Sequence, residues 1–366
     1  MNHRERFVGT LTGRPVDRVP FIKVFGGDNA ALPRWEKERP GISKEIDRLL
    51  GFEGPYRGWA EPGVNMDLSQ VGEPTVIEDS QTRMVLRYSH GAVCIALKGG
   101  DYHRHTVEWP VKDRSDWDRI RDRHLRPDDP ARFPADWPER AARFRSRDFP
   151  LQLTHRGVYG FARNMMGDEN LAYAFYDDPD LVHEIMDSYT DFAIRMWERM
   201  VEDTDFDLIE CWEDMASKNG SLISPATFRE FLAPNYRRIA EFARKHGIRI
   251  VLVDSDGLIE DLTGLMLEAG VTALYPYEVG AGNDPVRVRA RFPTAGMIGC
   301  LEKDVMARGR KAMDAELEKA RRLIGLGRLI PGPDHFVLSN VSLADYTYFM
   351  NGLREVAMTT RPGNAA

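Results

Sequence analysis

Cysteine is scarce in this chain. The three present, Cys94, Cys211 and Cys300, stand far apart in no metal or redox spacing, which excludes a disulfide framework and points to free thiols in a reducing compartment. No apolar run approaches the roughly 18 residues that a membrane span requires. No G-x-G-x-x-G or P-loop follows any candidate strand, which removes the usual phosphate-cradling motifs. Positive charge is not in excess either: 50 Lys and Arg against 57 Asp and Glu leave a net charge of -7. Nucleic acid and anionic membranes therefore find no electrostatic footprint here. Low-complexity linkers and short-period repeats are also missing. The start, MNHRERFVGTLTGRPVDRVP, is basic but lacks an apolar signal core, so it reads as mature, cytoplasmic protein.

What is present is alternation. With 42% hydrophobic residues among 366, the chain can bury a substantial core. Strands are predicted at PFIKVF (20–25), LQLTH (151–155), DLIECW (207–212), RIVLVD (249–254), TALYPYE (272–278), TAGMIG (294–299) and HFVLSN (335–340). Between them lie helical patterns. Asp178 caps and Pro179 opens one carrying Leu181, Ile185, Tyr189, Phe192, Met196 and Met200 on a single stripe. Ser224-Pro225 opens another, which stops at Lys245-His246-Gly247 as a helix C-terminus prefers. Strand–helix alternation of this length predicts a parallel sheet. Seven strands plus one unseen would close a (β/α)₈ barrel, with an open doubly wound sheet as the rival. The stretch from about 52 to 148, rich in Trp, Arg and Pro, is expected to form hairpins and short helices covering the barrel mouth.

In parallel α/β folds the chemistry sits where strands end. RIVLVDSDGLIEDL ends an apolar run on Asp254 and Asp256, LIECWEDMASKNG supplies Glu210, Cys211, Glu213 and Asp214, and Glu278 ends LYPYE. Carboxylates gathered at strand ends bind a cation, orient a substrate or move a proton. Each Asp alone is more often a turn or helix cap; acids at several strand ends are harder to explain that way. Cys211 and Cys300 read as small buried hydrophobes, and His183 and His246 as surface or helix-end groups. His103 and His105 share one strand face, where a solvated hairpin is the plainer reading and a pocket lid the functional one.

Four segments resemble the uroporphyrinogen decarboxylase superfamily, which also contains corrinoid-linked methyltransferases. RERFVGTLTGRPVDRVP is similar to its N-terminal helix and Asp-Arg-Val-Pro lead into the first strand. GSLISPATFREFLAPNYRRIAEFARKHGI resembles its Ser-Pro, Phe and Pro-x-Tyr segment, and DSDGLIEDLTGLMLEAGVTALYP its acidic or metal-binding loop and helix. DHFVLSNVSLADYTYFMNGLREV resembles the last strand and C-terminal helix, with His335 at a recurrent family histidine. The resemblance implies one (β/α)₈ TIM barrel over residues 1–360, with a flexible tail at 361–366.

Departures from the family pattern bear on chemistry. Uroporphyrinogen decarboxylases carry an arginine-rich signature after the first strand, suited to a substrate with eight carboxylates. Here PFIKVFGGDNAALPRW offers Lys23 and no arginine before Arg34, and Asp214 stands where a serine is expected. Porphyrinogen decarboxylation is accordingly disfavoured. In the methyltransferase branch a zinc site uses His-x-Cys plus a later cysteine; Asp254-Ser255-Asp256 occupies the first positions and Asp334-His335 lies near the last. Carboxylates make a harder site, suited to Zn²⁺, Mn²⁺ or Mg²⁺ or to no metal.

The resemblance thus implies a methyltransferase or demethylase that passes a methyl group from a small methylated substrate to a corrinoid on a partner protein. Asp254, Asp256, His335 and Glu210 would hold a metal, with Asp214, His335 and Asp256 catalytic. Glu278, Lys23, Trp59, His103 and His105 would contact substrate. No cofactor is expected to be bound covalently, and a homodimer is compatible with the sequence without being dictated by it. The alternatives are a cofactor-free decarboxylase of a small carboxylate and a non-catalytic binding protein on the same barrel.

Overall fold

The computed structural model describes residues 1–25, 30–98 and 104–363. Its largest sheet has six strands, all parallel. In chain order these are β5 (Gln152–His155), β6 (Leu208–Trp212), β9 (Ile250–Asp254), β10 (Ala273–Tyr275), β11 (Gly296–Leu301) and β12 (Leu329–Pro333). They stand side by side in that order. Before them, β1 (Thr75–Asp79), β2 (Arg83–Arg87), β3 (Val93–Leu97) and β4 (Arg104–Glu108) form an antiparallel meander, and β7 (Ala216–Ser217) with β8 (Gly220–Ser221) a short hairpin.

Period-two alternation sorts the parallel strands from β6 to β12 between two cores. Leu208, Ile250, Leu252, Ala273, Tyr275, Ile298 and Ile330 meet in an inner cluster with Val24 and Trp59. Their neighbours Ile209, Cys211, Val251, Val253, Leu274, Met297 and Leu329 pack outward in the larger cluster shared with the helices. Phe7 and Leu11 of the helix His3–Thr12 also enter the inner cluster. The helix Pro179–Asp203 begins as its sequence predicts, Asp178 accepting from Leu181 N.

Eight-strand closure differs from expectation. Residues 20–25 are buried but join no ladder. Pro20 has no N–H, Phe21 N donates to the Glu53 carboxylate, and Val24 N turns back to Ile22 O. With these donors turned to a side chain and to the segment's own backbone, residues 20–25 form no ladder among the described residues. Between the sheet's margins run looser links: Val24 lies against Gly332 of β12, Arg57 N donates to Lys23 O, and Ala60 bridges to Leu151 beside β5. The last strand is β12, LIPGP, rather than HFVLSN. Two prolines mask it in sequence, but β12 pairs on one side only, where proline is tolerated. Asp334 and His335 therefore follow the C-terminal end of a strand.

The stretch 52–148 holds the meander and the helices Arg114–His124 and Trp137–Phe144. Strands β1 and β4 are largely exposed.

Candidate active site

Glu210 and Asp254 belong to the inward row of the sheet, above Leu208 and Leu252. In register, Glu210 faces Leu252 and Trp212 faces Asp254, so the two acids sit diagonally across neighbouring strands at their C-terminal ends. Both are buried. Arg57 Nη1 donates to Glu210 Oε1 at 3.1 Å and to Asp254 Oδ2 at 3.0 Å. Burial raises the Glu210 carboxyl, against the pull of Arg57. Burial and then the Glu210 charge raise Asp254 well above the ordinary range. One guanidinium thus stands against two buried acids, whose charged forms burial disfavours.

Towards the mouth lie Asp214, Asp256 and His335. Asp214 has a left-handed φ of 45°, a strained position for a residue with a Cβ. Its Oδ1 accepts from Asp256 N at 3.3 Å, and its carbonyl accepts from Arg163 Nη1 at 2.8 Å. Burial, followed by the Asp256 charge, raises the Asp214 carboxyl. His335 Nε2 donates to Asp256 Oδ2 at 3.1 Å, and its ring stacks on Phe25 with centroids 5.2 Å apart. The hydrogen bond to Asp256 raises the imidazole above its usual value, against burial. One carboxylate oxygen from each of Asp214, Asp254 and Asp256 lies within 4.8 Å of the other two, close enough to share one cation.

Other acids at strand ends serve the scaffold. Glu213, fully buried, accepts from Val158 N, Tyr159 N and Gly160 N at 2.8–2.9 Å and from the Tyr236 hydroxyl. It thereby satisfies the open N–H groups of the helix Val158–Met166. Gly157 (φ 82°) brings that helix so close to β6 that a Cβ would stand 2.0 Å from Trp212 O. Asp334 accepts from Gly280 N and Lys303 N. Glu278 accepts from Gly257 N at 2.9 Å, fixing the loop after Asp256, and faces Lys303 at 3.8 Å.

The expected substrate contacts are scattered. Lys23 pairs with Asp47 at 2.9 Å. Trp59 is buried in the inner core, edge-on to Phe7 and Tyr275. His105 is exposed on β4 opposite Ile95, and His103 lies outside the described residues. All three cysteines are buried and free, the Cys211 thiol pushed well up by burial and that of Cys300 to about 12. Arg57 and Arg163 were not foreseen. Arg57 belongs to the irregular segment before the meander, and only the arginine-rich composition of 52–148 hinted at a basic group there.

Several comparisons bear on this arrangement. No curated protein sequence matches the chain. A methyltransferase from Methanosarcina mazei shares the fold, with TM-score 0.58 at 17% sequence identity over 98% of each chain. A Listeria monocytogenes chain assigned as a vitamin-B12-independent methionine synthase reaches only TM-score 0.33, at 12% identity over 59% of this chain and 68% of that one. The sequence profile of the uroporphyrinogen decarboxylase (URO-D) family matches residues 106–356, from β4 through the C-terminal helix and so across all the strand-end acids. On that match, the chain belongs to the uroporphyrinogen decarboxylase (URO-D) family.

Proposed function

We propose that this protein transfers a methyl group from a small methylated substrate to a reduced corrinoid carried by a separate protein, assisted by a divalent cation at the strand ends. The observation that carries the reading is the convergence of Asp214, Asp254 and Asp256 oxygens within 4.8 Å of one another. The donor set fits a hard ion: three carboxylates, no thiolate, and His335 already engaged with Asp256. Mn²⁺, Mg²⁺ or an oxygen-bound Zn²⁺ suits it better than a cysteine zinc centre does. When bound, the ion supplies Lewis acidity to the heteroatom that bears the methyl group.

The chain's own residues do the rest. As the carbon–heteroatom bond breaks, its electron pair stays on the heteroatom, which must gain a proton. His335, raised by its hydrogen bond to Asp256, is the proton donor at the mouth, while Asp214 serves the ion. Phe25 and Asp256 fix the His335 ring, and Arg163 fixes the Asp214 backbone. Likeness of fold to a Methanosarcina methyltransferase supports the reading at the level of architecture.

The test is methyl transfer to reduced corrinoid from methoxy, methylamine and methylthiol donors, followed by absorbance, with and without added Mn²⁺ or Zn²⁺. Methylated corrinoid that disappears in Asp256→Asn supports the proposal. Absence of transfer from every donor class ends it.

A metal-free decarboxylase is the second reading, favoured by one observation: Arg57 already pairs with the deepest acids without an ion. Carbon dioxide release that persists in chelator would select it. Ligand binding without turnover of either kind would select a binding protein.

A further inference from the structure

Two buried carboxylates converge on a single nitrogen of Arg57, which holds Glu210 Oε1 at 3.1 Å and Asp254 Oδ2 at 3.0 Å. The guanidinium is also pinned by rings, 4.9 Å from the Tyr275 centroid and 5.6 Å from that of Phe25. Its backbone is held at φ 61°, and its N–H donates to Lys23 O at 2.9 Å. A left-handed arginine is strained, and such strain persists only where the surroundings over-determine the position. An ordinary surface ion pair needs neither the rings nor the strained backbone. This cation is built in.

We propose that Arg57 stands where a divalent ion would otherwise sit between Glu210 and Asp254. An ion taken up by the protein is thereby confined to the outer side of the acids, among Asp214, Asp254 and Asp256. Two cations cannot share the inner pair, because like charges a few ångströms apart in a partly desolvated site repel strongly. Hard ions seek two or more converging carboxylates, which Glu210 and Asp254 would offer once the guanidinium is gone. Arg57 is therefore a positioning residue that holds the inner side of Glu210 and Asp254 and leaves an ion only the outer side, at Asp254, Asp214 and Asp256. The inference deepens the cation-site reading above, and the inner half of it stands without the outer half.

The experiment is Mn²⁺ titration calorimetry on the metal-stripped full chain and its variants. Arg57→Met, which keeps an apolar stem over the rings, should gain one further equivalent of Mn²⁺ or bind on the order of ten-fold tighter. Adding Glu210→Gln should cancel the gain, whereas adding Asp214→Asn should leave it. Arg57→Lys should exclude the extra ion as the parent does. A folded Arg57→Met protein that binds Mn²⁺ no better than the parent overturns the inference. Should Arg57→Met fail to fold without metal, recovery of its circular dichroism in millimolar Mn²⁺ supports the inference, and failure to recover overturns it. Mn²⁺ uptake by Arg57→Met but not by the parent would leave this inference standing and remove the outer ion site.

Discussion

Asp256 and His335 are 79 residues apart in sequence, yet the imidazole Nε2 donates to the carboxylate at 3.1 Å. Asp256 follows the end of β9 and His335 the end of β12, strands that are not neighbours in the sheet. Their meeting places the two strand ends at one mouth, with Phe25 behind the ring.

This pair predicts a unit. His335→Ala and Asp256→Asn should each lower methyl transfer by about 10²-fold or more, the range for a lost proton donor. The double variant should be little worse than the poorer single one, because coupled groups are non-additive. Both are partly exposed, so thermal unfolding should shift by only a few degrees. Multiplicative losses in the double variant would show two independent residues.

Asp214 predicts an exchange of stability for activity. Its carboxyl is partly buried beside the Asp256 charge, an arrangement that disfavours the folded state when both acids are ionised. Asp214→Asn should stabilise the fold at neutral pH by on the order of 1 kcal/mol while abolishing turnover. Denaturant unfolding gives the first quantity. A destabilised variant would mean that the Arg163 contacts outweigh the crowding.

Glu213 predicts the opposite. It serves three backbone donors and a tyrosine hydroxyl with no exposure of its own. Glu213→Ala should cost about 3–5 kcal/mol, since buried donors are left unpaired. Glu213→Gln, which keeps one acceptor, should cost less. A mild loss in Glu213→Ala would show that water replaces the carboxylate.

His155 predicts a pH dependence. It is wholly buried against Tyr189 and Trp197, and burial lowers its imidazole to about 3. The folded state keeps the ring neutral while the unfolded chain takes a proton below about 6.5, so stability falls as pH falls from about 6.5 towards 3. Between pH 6.5 and 5 this residue should remove roughly 2 kcal/mol. His155→Gln should flatten that slope in urea titrations, and an unchanged slope would contradict the assignment.

Much of this was legible in the sequence, for identifiable reasons. Asp214, Asp254 and Asp256 stand where alternation and the strand-end rule put them, whereas His335, read as opening a strand, follows the end of β12. Asp178-Pro179 announced its helix because a cap and its first turn are local in sequence. Arg57 was not legible: it reaches Glu210 and Asp254 across 153 and 197 residues, from a segment without periodicity. Lys23 looked like the cation after the first strand, but it pairs with Asp47. Glu278 and Asp334 look in sequence much like Asp256. Only the backbone N–H groups they accept from mark them as loop fasteners.

The central claim is that the strand-end acids form one ion-accepting centre beneath His335. It is met most directly by anomalous diffraction from crystals of the protein equilibrated with Mn²⁺. The account predicts a single anomalous peak at carboxylate-ligand distance from Asp214 and Asp256, with Arg57 still on Glu210 and Asp254. A map with no peak there, or with Mn²⁺ bound elsewhere at full occupancy, would contradict it.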